Sequence, residues 1–199
     1  MKNTILIDFD GVIRHWSDTE VKNMLFELEL EDDVLFSCAF SDKHLLPAIT
    51  GKITHDKWCE LVELELSQTY GDQISKQLVT AWYNASSDID FEFLTKIRNS
   101  APNASLVLVT NATTRLDSDL AKQGLKNEFD LVVNSSVIGV SKPEREFFET
   151  TIQLLGKTVK DCIFIDDSLT NVISARELGI ESIHHKEVSE TLNFISQST

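Results

Sequence analysis

The chain has 199 residues, which favours one domain or one domain with an insertion, and its hydrophobic fraction of 42% and charged fraction of 25% are typical of a globular protein. Its 32 acidic residues outnumber 18 basic ones and give a formal net charge of −14, which argues against a nucleic-acid partner. Three scattered cysteines, no apolar run long enough to span a membrane, and an N-terminal apolar stretch too short for a signal peptide predict a cytoplasmic protein without a membrane partner.

The first predicted element is a strand over residues 4–7, and two closely spaced carboxylates follow it. Asp8 and Asp10 are separated by one residue, and Gly11 comes next. Two charges of the same sign repel by roughly 4 kcal/mol at 4 Å in a partly screened site. The pattern therefore predicts a cation that offsets this repulsion.

Residues 17–88 have a helical pattern with little sign of a sheet. Apolar residues recur at helical spacing in three stretches, and Thr54 precedes the second as a candidate N-cap. These residues are Val21, Met24, Leu25 and Leu28; Trp58, Leu61 and Val62; and Ile74, Leu78 and Trp82. We predict a small all-helical module, with the alternative that these helices simply cover one face of the sheet.

The rest of the chain alternates strands with helices, which is typical of a parallel sheet covered on both faces. The further predicted strands span residues 106–109, 131–133, 162–165 and 180–183. The predicted helices span residues 114–123, 145–155 and 169–178, the last of which should bury Leu169, Val172 and Ile173. The fold class is therefore predicted to be α/β, with a Rossmann-like three-layer α/β/α core. The pair His184-His185 after the last strand is expected to form a solvated turn.

Polar side chains follow four of the predicted strands, at the edge where ligands bind in open parallel sheets. The set comprises Asp8 and Asp10, Thr110 and Asn111, Lys142, and Asp166 and Asp167. Each could alone cap a helix or lie in a solvated loop, but together they share one sheet edge. Carboxylates without His or Cys in the same loops suit Mg²⁺, which shares its coordination with substrate phosphates. A carboxylate beside such a metal can attack phosphorus and form an aspartyl phosphate.

These segments resemble, in order, the four motifs of the haloacid dehalogenase-like superfamily. The matching stretches are Asp8-Phe9-Asp10-Gly11-Val12, Leu108-Val109-Thr110-Asn111, Lys142-Pro143-Glu144 and Ile165-Asp166-Asp167-Ser168, the last followed by Asn171. The resemblance covers essentially the whole chain. It implies a core of residues 1–16 and 89–199 and a helical cap of residues 17–88 between the first and second motifs.

The resemblance also implies a role for each matching residue. Asp8 would be the nucleophile, and Asp10 would protonate the leaving oxygen, activate water and place its backbone carbonyl at the metal. Thr110 and the backbone of Asn111 would hold the phosphoryl group, while Lys142 would neutralise its charge. Asp167 would be a direct Mg²⁺ ligand, and Asp166 would be either a ligand or an acceptor behind the ligands. The segment Arg14-His15-Trp16 would contact substrate or form a contact between the two domains.

The expected function is a Mg²⁺-dependent phosphatase for a small phosphorylated metabolite, acting as a monomer or a homodimer. Dehalogenases of this superfamily lack an acid two residues after the nucleophile, and Asp10 therefore favours phosphoryl transfer, because an alkoxide leaving group needs a proton and a halide does not. A haloacid dehalogenase, a phosphomutase and a non-catalytic binding protein of the same fold remain alternatives. The substrate stays open among sugar phosphates, phosphoglycolate and nucleotides.

Overall fold

A five-stranded parallel sheet forms the centre of the computed structural model, which describes residues 2–199. The strands of the chain are β1 (Thr4–Ile7), β2 (Arg14–Trp16), β3 (Ser87–Ile89), β4 (Ser105–Thr110), β5 (Leu131–Asn134), β6 (Cys162–Asp166) and β7 (Glu181–His184). The large sheet has the order β5-β4-β1-β6-β7, and the antiparallel pair β2-β3 forms a separate sheet. The strand that carries Asp8 at its end is therefore central, between β4 and β6.

Helices cover both faces of the large sheet, because successive strand residues point to opposite sides. Ile5 and Ile7 of β1 belong to one buried cluster, which also contains residues of α6 (Phe91–Ser100), α7 (Leu116–Lys122) and α11 (Val188–Ser198). Leu6 belongs to the cluster on the other face, with residues of α9 (Arg145–Leu155) and α10 (Leu169–Leu178). A short helix, α8 (Ser135–Ile138), directly follows β5. The predicted α/β class with a three-layer core is confirmed.

Five helices between β2 and β3 form what we call the helical insert. They are α1 (Thr19–Glu27), α2 (Val34–Ala39), α3 (Asp42–Ile49), α4 (His55–Tyr70) and α5 (Asp72–Tyr83). These helices pack around a hydrophobic cluster of their own. The hydroxyl of Thr54 caps α4 by accepting a hydrogen bond from the backbone N–H of Lys57, as its position predicts. The assignment of residues 17–88 to a separate cap domain stays a prediction.

Two details of the predicted packing are wrong. Leu169 and Ile173 of α10 are 49% and 46% exposed, because the inward face of this helix is instead formed by Asn171, Val172 and Ala175. His185 is buried rather than solvated, since its ring stacks on Phe93 and bonds to the Thr191 hydroxyl. Among residues 2–199, no helix combines the length and apolar character needed to cross a membrane.

Candidate active site

The carboxyl ends of β1, β4 and β6 bring the predicted site residues to one place. Asp8 directly follows β1, and its backbone N–H donates to the Ile165 carbonyl of β6. Thr110 ends β4 and Asp166 ends β6, so both lie on strands that pair directly with β1. The register of the sheet thus places three motif residues side by side.

Lys142 connects the two buried carboxylates of this edge. Its Nζ lies 2.8 Å from Asp8 Oδ1 and 2.7 Å from Asp166 Oδ2, and it donates to the Val109 carbonyl at 2.9 Å. Burial opposes the charge on this lysine, which is 3% exposed, but the two carboxylates raise its pKa above the usual value. A buried ammonium whose three N–H groups each have an acceptor is a fixed positive charge that attracts anionic oxygen atoms beside Asp8.

The protein alone provides little positive charge to offset the negative charge of an ionised Asp8. Burial, together with repulsion from Asp166, raises its pKa to about 8, although Lys142 and the backbone N–H of Phe9 act in the opposite direction. One ammonium thus serves two buried carboxylates. A further cation at this place would favour the ionised form that a nucleophile requires.

The two neighbouring aspartates of the fourth motif have different surroundings. The carboxylate of Asp166 is fully buried and accepts from Lys142, the side chain of Asn171 and the backbone N–H of Ser168. Asp167 is the more exposed of the two side chains. Its remaining burial and the repulsion from Asp166 still raise its pKa. Asp167 is therefore better placed to offer oxygen atoms to a ligand, while Asp166 positions Lys142.

The donor set fits a hard divalent cation. Asp8, Asp166 and Asp167 each offer a carboxylate oxygen, and these atoms lie within 4.8 Å of one another. Gly11 lies against this group, at φ +80°, and a Cβ at this position would overlap the Asp167 carboxylate. Three oxygen donors crowded around too little positive charge match the ligand preference of Mg²⁺.

Asp10 does not join this group through its side chain, unlike the prediction that places its carboxylate with the others. Arg14 donates hydrogen bonds to the Asp10 carboxylate from Nε and Nη2, at 2.6 and 2.9 Å, and Trp16 Nε1 donates to the same carboxylate at 2.7 Å. The physical reason is that the loop after Asp10 brings the buried guanidinium of Arg14 back beside it, where a bidentate pair forms. A contact of the Asp10 backbone carbonyl with metal stays a prediction.

Of the three predicted substrate residues at positions 14–16, two point to one side of β2 and one points to the other side. Arg14 and Trp16 line a cavity next to Asp10, and His15 does not line it. In β2 these two residues point to the same side and His15 to the opposite one, where it is exposed. The structure therefore keeps Arg14 and Trp16 as candidates for contact with substrate and removes His15.

Asn111 holds Lys142 rather than reaching into the site with its side chain. Its amide Nδ2 donates to the Lys142 carbonyl at 2.7 Å, and its Oδ1 accepts from the Lys142 N–H at 2.8 Å. Both ends of the side chain are thus occupied. This leaves the backbone of Asn111, as the sequence predicts, to contact a phosphoryl group.

A junction between the helical insert and the sheet edge is a feature that the sequence does not predict. His55 Nδ1 lies 3.0 Å from the Thr113 hydroxyl, and Arg115 donates to His55 Nε2 at 3.0 Å and to the Tyr83 carbonyl at 3.1 Å. Because an arginine can only donate, Nε2 accepts and Nδ1 carries the proton. The signal in the sequence is weak, since a histidine directly after a helix N-cap is as common in a solvated first turn as in a buried contact.

The chain matches a known family over most of its length. The family model described as haloacid dehalogenase-like hydrolase matches residues 2–179. The fold is similar to that of a HAD family enzyme from Bacteroides thetaiotaomicron, solved in complex with magnesium and inorganic phosphate, at a TM-score of 0.74 and 21% identity over 94% of this chain and 95% of that chain. At this identity the likeness concerns the fold alone.

Two curated relatives match shorter stretches. A sesquiterpene phosphatase of Aspergillus oryzae is 36% identical over 56 residues, which cover 28% of this chain and 29% of that protein. A phosphoglycolate phosphatase of Chromobacterium violaceum is 33% identical over 79 residues, which cover 39% of this chain and 36% of that protein. The match thus spans about a third of the length of each relative.

Proposed function

The chain belongs to the haloacid dehalogenase-like hydrolase family, and from this premise we propose that it is a Mg²⁺-dependent phosphatase that hydrolyses small phosphomonoesters through an aspartyl phosphate on Asp8. One observation carries the proposal: Lys142 and the carboxylates of Asp8, Asp166 and Asp167 meet at the end of the central strand. A nucleophile, a fixed cation and a set of oxygen donors for a metal are the parts that phosphoryl transfer needs.

The first half of the reaction transfers the phosphoryl group to Asp8. A carboxylate oxygen of Asp8 attacks phosphorus, and the bond from phosphorus to the alcohol oxygen breaks with its electron pair leaving on that oxygen. Asp10 gives a proton to the alcohol oxygen, for which its carboxyl group must leave the contact with Arg14. Thr110 and the Asn111 backbone hold the oxygen atoms of the phosphoryl group, and Lys142 neutralises part of their charge. Bound Mg²⁺ would supply further neutralisation.

The second half restores the enzyme. Asp10 accepts a proton from water as the water oxygen attacks phosphorus, and the bond between Asp8 and phosphorus breaks. Inorganic phosphate leaves, Asp8 regains its carboxylate, and Asp10 is again protonated for the next cycle. Asp166 keeps Lys142 in place throughout, since it is fully buried and accepts from that ammonium.

The known relatives support the reaction more than the substrate. Two proteins named as phosphatases match the chain, yet their names specify alcohols as different as a sesquiterpene and glycolate. The magnesium and phosphate bound to a protein of similar fold support the choice of metal. The same proposal includes that the protein acts as a monomer or a homodimer and that it binds neither nucleic acid nor a membrane.

Release of inorganic phosphate from p-nitrophenyl phosphate tests the proposal. We expect turnover with Mg²⁺, none with EDTA, and a loss of at least about 10³-fold in Asp8→Asn. Asp117→Asn, at an exposed aspartate of α7, is the matched control and should keep full activity. Activity retained in Asp8→Asn would reassign the nucleophile, and metal-independent chloride release from a 2-haloacid would establish a dehalogenase instead.

A further inference from the structure

A cavity extends from the candidate active site into the helical insert. Its volume is about 380 Å³, and its wall begins at Asp10 and Asn111, next to the phosphoryl-binding edge of the sheet. From there it runs between the loop after β4 and the inner side of α2, α3, α4 and α5. We call this space the aromatic cavity. Asp8 itself does not line the space, but Asp10, two residues later, does, so the cavity begins beside the place where a phosphate at Asp8 would sit.

Aromatic residues form much of the part of the wall that the helical insert contributes. All three tryptophans of the chain contribute, as do two phenylalanines and a tyrosine. These residues are Trp16, Phe36, Phe40, Trp58, Trp82 and Tyr83. Phe40 packs edge-on against Trp58 and Trp82, with ring centroids 5.9 and 6.2 Å apart, and Trp58 gives its indole N–H to the Ala39 carbonyl. The rings therefore present apolar surface to an occupant.

Several aromatic residues of the cavity remain in contact with solvent. Trp16, Phe40 and Tyr83 are 41%, 48% and 43% exposed, although large aromatic side chains gain from burial. A cluster of exposed rings that continues into a cavity marks a surface where a ligand completes the packing.

Most charged residues of the wall are paired with one another, and Asp18 is paired with Lys22 outside the wall. Arg14 is shared between Asp10 and Asp119, and Arg115 is shared between Asp119, His55 and the Tyr83 carbonyl. The hydroxyl groups of a sugar or the ring of a base would have to break these contacts to be recognised, and otherwise would lie unpaired against aromatic rings at a cost. The wall thus disfavours a polar alcohol and suits an apolar one.

We propose that the substrate is the phosphomonoester of a carbon-rich, apolar alcohol whose hydrocarbon part fills the aromatic cavity. The inference rests on the proposed function, which places the phosphate at Asp8. At about 30 Å³ for each water-sized group, the cavity takes roughly a dozen non-hydrogen atoms. Linear, branched and aryl alcohols of this size share the required chemistry.

A series of n-alkyl phosphates tests the substrate class. Rates of phosphate release are measured with Mg²⁺ from ethyl to dodecyl phosphate below micellar concentrations, beside phosphoglycolate, glucose 6-phosphate and uridine 5′-monophosphate. We expect kcat/KM to rise about fourfold for each added methylene and to level off near a dozen carbons. A branched and an aryl ester of the same size show which shape the cavity prefers. A flat series, or higher kcat/KM for the polar esters, would overturn the inference.

Two variants and a control locate the effect in the cavity. Phe40→Ser should lower kcat/KM for decyl phosphate at least about tenfold and change that for ethyl phosphate less than twofold. Phe26→Ser is the control, because Phe26 is 82% exposed on the same insert and lies outside the cavity. Ala85→Phe fills part of the cavity and should move the plateau to shorter chains. An unchanged chain-length profile in both cavity variants would contradict the assignment.

Binding separates failure of this inference from failure of the proposed function. Alkylphosphonates cannot be hydrolysed, and because every tryptophan lines the cavity, intrinsic fluorescence reports their binding. Tighter binding of decylphosphonate than ethylphosphonate without turnover of any ester would refute the phosphatase and keep the ligand class. The opposite result is turnover of polar esters together with a phosphonate affinity that does not depend on chain length. It would support the proposed phosphatase activity and refute the apolar ligand class.

Discussion

At the scale of single residues, the approach of the first loop to the fourth motif leaves no room for a side chain at position 11. Gly11 has a φ of +80°, and a Cβ there would overlap the Asp167 carboxylate. We expect Gly11→Ala to push Asp167 away and to raise the Mg²⁺ concentration for half-maximal activity at least about tenfold, as displacing a metal-holding group does. A Mg²⁺ titration of phosphate release measures this.

Gly124→Ala is the matched control for the change at position 11. Gly124 has a similar φ of +74°, but a Cβ there meets nothing within 4 Å. Both variants therefore suffer the same kind of backbone strain, and only one disturbs the carboxylates. Equal responses of the two variants to Mg²⁺ would show that the contact with Asp167 is irrelevant.

A second prediction at this scale concerns the two hydrogen bonds between Asn111 and the backbone of Lys142. Asn111→Ala removes both, so the Lys142 ammonium loses its fixed position and kcat should fall by about 10²-fold with a smaller change in KM. The pH profile of kcat should also change, because Lys142 and Asp8 contact each other. A loss of stability without any change in the kinetics of the folded enzyme would leave Asn111 with a structural role only.

Sequence reasoning places the site residues but not their partners. Asp8, Thr110 and Asp166 lie at or directly after strand ends, and the edge of a parallel sheet brings strand ends together whatever the loops do. Lys142 reaches the same edge only after the short helix that follows β5. The use of the Asn111 side chain depends on the path of a loop 31 residues away in sequence, which no local pattern encodes. The contact of Arg14 with Asp10 is local, but it depends on the turn between them, in which Gly11 has a φ of +80°.

At the scale of elements, the predicted strands of the large sheet are confirmed. The three central strands β1, β4 and β6 are largely apolar runs buried on both faces, whereas the edge strands β5 and β7 are partly exposed. The strands β2 and β3 have no such signal, since RHW and SDI are three-residue polar segments that pair only because the chain returns to the same point after the helical insert. The predicted inward face of α10 is wrong because Asn171, a polar residue, points inward to hold Asp166.

The junction between α4 and the loop after β4 makes a prediction about pH. Burial and the nearby Arg115 guanidinium lower the pKa of His55 to about 4, below the value of 6.5 for an unfolded chain. Between these values the unfolded chain binds a proton that the folded chain does not, so this contribution to the free energy of unfolding falls as the pH drops from 6.5 to 4. After allowance for solvent screening, the loss is about 2 kcal/mol.

Chemical denaturation of the wild type and His55→Gln at pH 7 and pH 4.5 measures this contribution. The free energy of unfolding of the variant should depend less on pH in this window than that of the wild type. The difference between variants is the relevant quantity, because burial also lowers the pKa of His185. Parallel curves for wild type and His55→Gln would contradict a neutral His55.

At the scale of the whole molecule, the active site concentrates a charge imbalance that the entire chain shares. The chain carries a formal net charge of −14, and at its active site three carboxylates lie close together with one ammonium, which contacts two of them. Folding must bring these groups together, and without another cation the carboxylates meet at the cost of mutual repulsion. A ligand that binds only the assembled group therefore stabilises the entire fold and not merely the loops that touch it.

We accordingly expect Mg²⁺ to raise the thermal unfolding temperature. At a concentration of about 100 times Kd, the gain is about 2.7 kcal/mol, which corresponds to roughly 5–10 °C for a protein of this size. The gain should grow from pH 6 to pH 8, because the pKa of Asp8 is raised to about 8 and below that value the ion must displace a proton. Asp167→Asn should lose most of the shift and Asp117→Asn none of it. A shift that is the same in both variants, or that shrinks with rising pH, would mean that Mg²⁺ acts elsewhere on this acidic surface.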